Sequence, residues 1–236
     1  MEQYSKEYTI TYNSVDCYDF LKPSAILDLT QDIAAEHADK LGIGFEDFIK
    51  KDLIWVVVRN HFEILKPIKL PKRVKIVTYP IKNRLIEYPR DYEVYYDDEL
   101  FIKGRSIRMI FDLKKQSPIS ENFEVLNNNI PGLFKERIRK LQLPEFNESD
   151  YVKEVEVLPS MMDHNMHLNN TRSLDFYIDV FPPLKDTHIK SFQVEYTKQC
   201  FKGQKIKLYK KEDENTNYLV GKINDEICFS MKVVNF

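Results

Sequence analysis

Residues 163–181 read DHNMHLNNTRSLDFYIDVF and residues 16–34 read DCYDFLKPSAILDLTQDIA. Laid together at an offset of 147, they coincide at Asp16 and Asp163, Leu21 and Leu168, Leu27 and Leu174, Asp28 and Asp175, and Asp32 and Asp179. A second match comes next in the same order at an offset of 132, where Arg73-Val74-Lys75-Ile76 lies against Lys205-Ile206-Lys207-Leu208 and Glu63 against Glu195. The offset falls by 15 because the first copy carries extra residues, expected at Asp39 to Lys51, between its helix and its next strand. Self-similarity of this kind, in a chain without low-complexity sequence, reads as a duplicated fold.

Each copy reads as one helix among strands. In the first, Pro23 suits the first helical position, Ile26, Leu29, Ile33 and Leu41 share a stripe, and Gly42 is a C-terminal stop. In the second, Asn170 or Thr171 is expected to cap, Leu174, Tyr177, Ile178 and Phe181 recur at helical spacing, and Pro182-Pro183 ends the element. Strands are expected at 6–12, 53–64, 73–80, 88–96 and 100–112, and again at 152–158, 189–200, 205–211, 217–223 and 226–235, where Val, Ile, Tyr and Phe often alternate with charge. Pro131, Pro144 and an Asn run place a connector at 126–150, between a first unit at 1–125 and a second at 151–236. The fold class is α+β with mostly antiparallel sheets.

Composition narrows the function. The chain has 236 residues, 43% hydrophobic and 31% charged, which suits one large or two small globular domains rather than disorder. Its 6 glycines form no phosphate-cradling run, and 35 Lys+Arg against 37 Asp+Glu lack the basic footprint of a dedicated nucleic-acid binder. Cys17, Cys200 and Cys228 are odd in number and far apart, so neither a disulfide framework nor a zinc ribbon is indicated and a reducing, cytoplasmic setting is expected. The N-terminus MEQYSKEYTITY lacks a signal pattern, and the longest apolar run, Leu53 to Val58, is too short for a membrane span.

The densest polar constellation is Asp163-His164-Asn165-Met166-His167, directly before the second helix. In an extended segment Asp163, Asn165 and His167 alternate onto one face, with His164 turned away. An imidazole moves protons near neutral pH, an amide donates to a developing oxyanion, and a carboxylate fixes both. The first copy has Tyr18 and Phe20 where the second has Asn165 and His167, so only the second is equipped for chemistry. His164 and His167 beside Asp163 lack a third ligand at short spacing, and no metal or other cofactor is expected. Gly104-Arg105-Ser106 is not followed by a glycine at the elbow position, which removes a serine-hydrolase reading.

D-x-N-x-H-x-N-N ahead of a helix, with W-V-V-V-R (Trp55 to Arg59) and P-R-D-Y (Pro89 to Tyr92) upstream and V-E-Y-T-K-Q-C (Val194 to Cys200) downstream, resembles the acyl-acyl-carrier-protein thioesterases of bacteria and plants. The resemblance implies a tandem, or double, hotdog, each half an antiparallel sheet wrapped around a central helix. It implies hydrolysis of the thioester of a fatty acyl carrier protein in fatty acid biosynthesis, with the phosphopantetheine-linked carrier as partner. On it Asp163, Asn165 and His167 take the catalytic roles, and Gln199 stands where the family has a glutamate before the cysteine. A glutamine is no general base, so water activation falls to His167 or Asp163 with Gln199 positioning the water. Cys200 is the alternative, as a nucleophile activated by His167, although a regular strand turns it to the face opposite Gln199. The rivals are an acyl-CoA thioesterase or hotdog dehydratase, and a non-hydrolytic acyl-binding protein.

An acyl chain needs an apolar slot, expected in the first half from Ile26, Leu29, Ile33, Trp55 and Val57. Two stretches without acidic residues, 64–86 and 196–211, offer basic surfaces for an acidic carrier, with Lys202, Lys205 and Lys207 as the docking candidates. A duplicated chain supplies internally the pairing that single hotdogs obtain by dimerising, which fits a monomer or a homodimer.

Overall fold

The computed structural model describes residues 3–70, 73–120, 126 and 130–236. The first half runs β1 (Tyr4–Thr9), α1 (Pro23–Lys40), α2 (Phe45–Ile49), β2 (Leu53–Ile64), β3 (Arg73–Pro80), β4 (Tyr88–Tyr96), β5 (Glu99–Asp112) and β6 (Ser117–Ile119). The second runs β7 (Tyr151–Glu156), α3 (Arg172–Val180), β8 (Ile189–Tyr196), β9 (Lys205–Asp213), β10 (Thr216–Ile223) and β11 (Glu226–Asn235). Ten strands form one antiparallel sheet in the order β1-β3-β4-β5-β2-β8-β11-β10-β9-β7, with β6 paired to β5. Each half repeats the same strand order read outward from the β2–β8 joint, as a duplicated sequence demands. Among the described residues no helix is long and apolar enough to cross a membrane.

The joint shows how the repeat sets the register. Strand β2 pairs with β8 from Arg59 opposite Glu195 to Glu63 opposite Ser191, with His61 facing Gln193. His61 and Gln193 are 132 residues apart, the offset of the second sequence match, so each faces its own counterpart and the pseudo-twofold passes between them.

Period-two alternation then sorts the faces. Phe62 and Phe192 point to the inner face and stack across the joint with ring centroids 5.3 Å apart. Gly104 is required beside them, because a Cβ there would fall 2.1 Å from the Phe62 ring. Ile26, Leu27, Ile33 and Ala34 of α1 and Leu174, Phe176, Tyr177 and Val180 of α3 bury against this face, so both helices lie in one continuous core. Burial of one such side chain contributes about 1.5–3 kcal/mol.

The halves differ beyond the helix. Helix α1 has 18 residues and α3 has 9. Gly42, at φ +69°, turns the chain out of α1, and the extra residues of the first copy form α2, which the hydrophobic pattern does not reveal. Phe48 of α2 is wholly buried and stacks on Trp55 at 5.0 Å. Strand β6 is likewise unannounced by the sequence; three residues carry too little pattern to mark a strand.

Residues 130–147 cross the outer face of the joint with no helix or strand, and side chains of the sheet bond four of their backbone groups. Leu133 N–H donates to Asp91 Oδ2 at 2.7 Å and Leu141 N–H to Glu195 Oε1 at 2.9 Å. Arg59 Nη1 donates to the Ile138 carbonyl at 2.9 Å and Gln193 Nε2 to the Arg139 carbonyl at 2.8 Å. Phe134 lies against the His61 ring at 5.3 Å.

Arg59 Nε donates to Glu195 Oε1 at 2.7 Å, with the two side chains 5% and 10% exposed. Arg59→Met is expected to lower unfolding free energy by about 3–5 kcal/mol, since it strands a buried carboxylate, and Arg59→Met with Glu195→Leu to cost less than either single change. Urea melts of the four proteins decide this.

Burial lowers the His61 pKa below its ordinary value, an effect larger than the opposing pull of Glu63. The unfolded chain therefore binds more protons than the folded one below about pH 6.5, and the neutral imidazole's contribution is lost as pH falls through that window. His61→Phe is expected to flatten the acid side of the stability profile, read as melting temperature between pH 7 and 5.

Candidate active site

The segment before α3 is a closed turn rather than the extended run expected from its alternation. Asp163 N–H donates to the His167 carbonyl at 2.8 Å and Met166 N–H to the Asp163 carbonyl at 3.1 Å, with Met166 at φ +63°. The Asp163 carboxylate accepts the backbone N–H of Asn165 at 2.9 Å and of His167 at 3.2 Å. An aspartate that binds its own backbone two residues on competes well with extended structure, and that local bond decides the shape. Asp163 thus holds Asn165 and His167 through their main chain. Asn165 is exposed and His167 half-buried.

The first copy builds the same turn. Asp16 accepts N–H from Tyr18 at 2.9 Å and from Phe20 at 3.0 Å, Asp16 N–H donates to the Phe20 carbonyl at 2.8 Å, and Asp19 sits at φ +67°. Bridges Val15–Leu21 and Met162–Leu168 close the two turns. Leu21 N–H donates to the Ile68 carbonyl and Leu168 N–H to the Cys200 carbonyl, 2.9 and 2.8 Å. The aspartate is shared because the turn needs it; the side chains displayed, Tyr18 and Phe20 against Asn165 and His167, are what differ.

The Leu168–Cys200 bond brings Gln199-Cys200-Phe201 beside the turn. The His167 ring meets the Phe201 ring edge at 5.0 Å, and His164 meets Phe45 of α2 at 4.9 Å, so elements of both halves frame the site. Neither phenylalanine stands out in the sequence, since neither belongs to a polar motif. Strand β8 ends at Tyr196, not at residue 200 as expected. Thr197 and Lys198 both donate to the Cys228 carbonyl, at 2.8 and 3.2 Å, which breaks the alternation used to set Cys200 and Gln199 on opposite faces. Gln199 is exposed and Cys200 is 4% exposed. A hydrogen bond with the Cys228 thiol, together with burial, pushes the Cys200 pKa far up, the reverse of what a thiolate nucleophile requires. Helix α3 starts at Arg172 with Thr171 at the cap position, one of the two expected; the Thr171 side chain makes no capping bond, and its N–H donates back to Asn169 Oδ1 at 3.0 Å. Tyr196 Oη anchors the same segment by donating to the Asn170 carbonyl at 3.0 Å.

The five residues expected to hold an acyl chain are not brought together. Ile26 lines a cavity of about 390 Å³, whereas Trp55 lines a separate void of about 20 Å³ with its Nε1 donating to the Ile43 carbonyl. Ile33 is wholly buried, Leu29 packs on the main core, and Val57 is half-buried. Of the lysines, Lys202 is exposed in the turn after Phe201, and Lys205 pairs with Glu154 across the strands at 3.1 Å. Lys207 is exposed on β9, opposite Glu154 in the register. The basic run is compensated by carboxylates remote in sequence, Glu226 on Lys198 and Asp150 on Lys211. Among the described residues no cluster of His, Cys, Asp or Glu is placed to hold a metal ion.

If both aspartates serve the turns, Asp16→Ala and Asp163→Ala each lower stability by about 1 kcal/mol through lost backbone hydrogen bonds. The matching fall in melting temperature is roughly 2–4 °C, read by scanning calorimetry.

Comparison with known proteins adds a family. Residues 1–127 match the profile described as acyl-ACP thioesterase N-terminal domain, and residues 145–230 that of the acyl-ACP thioesterase C-terminal domain. The chain is 25% identical over 207 residues to dodecanoyl-[acyl-carrier-protein] hydrolase of Cinnamomum camphora, covering 75% of this chain and 50% of that one. It is 22% identical over 218 residues to oleoyl-acyl carrier protein thioesterase 1 of Arabidopsis thaliana, covering 84% of this chain and 60% of that one. Both relatives are chloroplastic, and the chain spans only half to three fifths of their length. The crystal structure of an acyl-ACP thioesterase from Bacteroides thetaiotaomicron superposes with a TM-score of 0.89 at 19% identity, covering 99% of this chain and 98% of that chain, and so shares the fold.

Proposed function

The chain belongs to the acyl-ACP thioesterase family, and from that premise we propose that it hydrolyses the thioester of a fatty acyl carrier protein, releasing the fatty acid and the carrier thiol. The observation that carries the reading is the turn at Asp163–His167, which displays an amide and an imidazole beside Gln199 while its duplicate at Asp16–Phe20 displays neither.

In the mechanism the Asn165 amide donates to the thioester carbonyl, and His167 takes a proton from the attacking water as its oxygen bonds to the acyl carbon. The carbon–sulfur bond then breaks and the proton passes to the departing sulfur. Asp163 fixes both residues through their backbone N–H groups, and Gln199, an amide without basicity, holds the water. Direct attack by water is favoured over a Cys200 acyl-enzyme by the raised pKa of that buried thiol. Lys202, exposed beside Phe201, is the leading contact for an acidic carrier, with Lys205 and Lys207 behind it on β9. We place the chain in the cytoplasm on its cysteine usage.

Gln199 favours one rival, an acyl-binding protein that does not cleave. The two separate in an assay of thiol release from a panel of acyl carrier proteins. Native protein is expected to turn over, His167→Ala to lose about 10²–10⁴-fold in kcat, and Cys200→Ala to stay near native. Binding of acyl carrier with no thiol release, converted to release by Gln199→Glu, establishes the rival.

A further inference from the structure

The first-half turn does not face solvent alone. Asp16 and Phe20 border the cavity of about 390 Å³, within the range of about 300–1,000 Å³ usual for small-molecule sites. The cavity lies beside the shorter copy's helix. Helix α3 stops at Val180 and Pro182-Pro183 ends it, so nothing there matches the last turns of α1 or helix α2, whose Phe45 meets His164 of the other turn. No residue of 163–168 or 199–201 lines this space.

Its walls are of two kinds. Ile26, Ile64, Ile102, Ile178 and Phe181 make an apolar trough, with the Phe20 ring where the other copy has His167. At one side stand Tyr177, Asn217, Asn235 and Lys210. Asn217 Nδ2 donates to Tyr177 Oη at 3.0 Å, which leaves the phenolic proton for another acceptor. Lys210 pairs at 2.8 Å with Glu212, which lines the same wall, so a carboxyl head there shares the Lys210 ammonium with Glu212. Asp16 spends its carboxylate on the N–H groups of its own turn.

We propose that this cavity is a second, non-catalytic ligand site that binds one unbranched fatty acid, its carboxyl toward Tyr177, Asn217 and Lys210 and its tail in the isoleucine trough. The ligand class rests on the thioesterase reading, because the product of that reaction is a single alkyl chain with a carboxyl head. The site holds and does not cut: Tyr18 and Phe20 supply neither the amide nor the imidazole.

The test uses the full chain and dodecanoate. Calorimetric titration of native protein is expected to show binding. Ile178→Trp and Thr187→Trp, which fill the cavity from half-exposed positions, weaken that binding about tenfold or more, with melting temperatures near native as the check on folding. Tyr177→Phe weakens it about fivefold, the worth of one hydrogen bond. A crystal grown with 12-bromododecanoate places bromine among Ile26, Ile64 and Ile102. Bromine only elsewhere, or native affinity in both tryptophan variants, overturns the proposal. Thiol release measured in parallel keeps the readings apart: turnover with an empty cavity removes this inference alone, and a filled cavity without turnover removes the thioesterase reading alone.

Discussion

Everything in this molecule depends on the pairing of β2 with β8, closed on its outer face by the buried contact between Arg59 and Glu195. A duplicated half-sheet has an open edge of unpaired N–H and C=O groups; the chain satisfies it by meeting its own copy. The ion pair sits where strand pairing alone could slip. Glu195 also accepts Leu141 N–H and Arg59 also donates to the Ile138 carbonyl, so joint and connector are fixed by the same two side chains. Asp91, wholly buried, does the equivalent one strand pair away, accepting two bonds from Arg105 at 2.5 and 2.7 Å and one from Leu133 N–H at 2.7 Å.

Three of the segments that carry the family resemblance therefore describe architecture at Arg59, Asp91 and Glu195. Arg59 ends W-V-V-V-R, Asp91 lies in P-R-D-Y and Glu195 in V-E-Y-T-K-Q-C, and all three face the connector. Trp55 locks α2 to the sheet between Phe48 and Tyr88. A buried charge cannot drift in sequence without stranding its partner, which makes such residues good markers of a fold and indirect markers of a reaction. The turn segment and Gln199, near the end of V-E-Y-T-K-Q-C, carry the proposed chemistry, and the aspartate of the turn is structural as well.

Strands were legible because alternation against a single buried face is a strong signal, and the offset of 132 anticipated the register at His61 and Gln193. The site was legible as a set of residues and not as a shape. Alternation at Asp163–His167 predicted a shared face, but the Asp163 carboxylate bonds its own backbone and turns the chain, a local competition that periodicity does not register. The same blindness extended β8 to Cys200, past the point where Thr197 and Lys198 share one carbonyl. Runs of lysine looked free because their carboxylate partners, Glu154, Glu226 and Asp150, lie tens of residues away. The acyl candidates rest on apolarity and on the family's first-half pocket; apolarity marks the core as well as a pocket, and these residues lie in the core and along two cavities.

The turn also constrains how the imidazole is supported. In many acid–base sites a carboxylate orients the ring through its second nitrogen, yet here the adjacent carboxylate is committed to two main-chain N–H groups, and the same commitment at Asp16 shows that it is a property of the fold. Orientation of His167 then comes from packing against Phe201 and from the backbone bond to Asp163. An imidazole moves protons near neutrality without a carboxylate behind it, so the glutamine at 199 is compatible with the role proposed for His167. Duplication gave the chain two such turns. Under the proposed roles, Tyr18 and Phe20 in place of the amide and imidazole, with one helix shorter than the other, separate holding from cutting across a single pseudo-twofold axis.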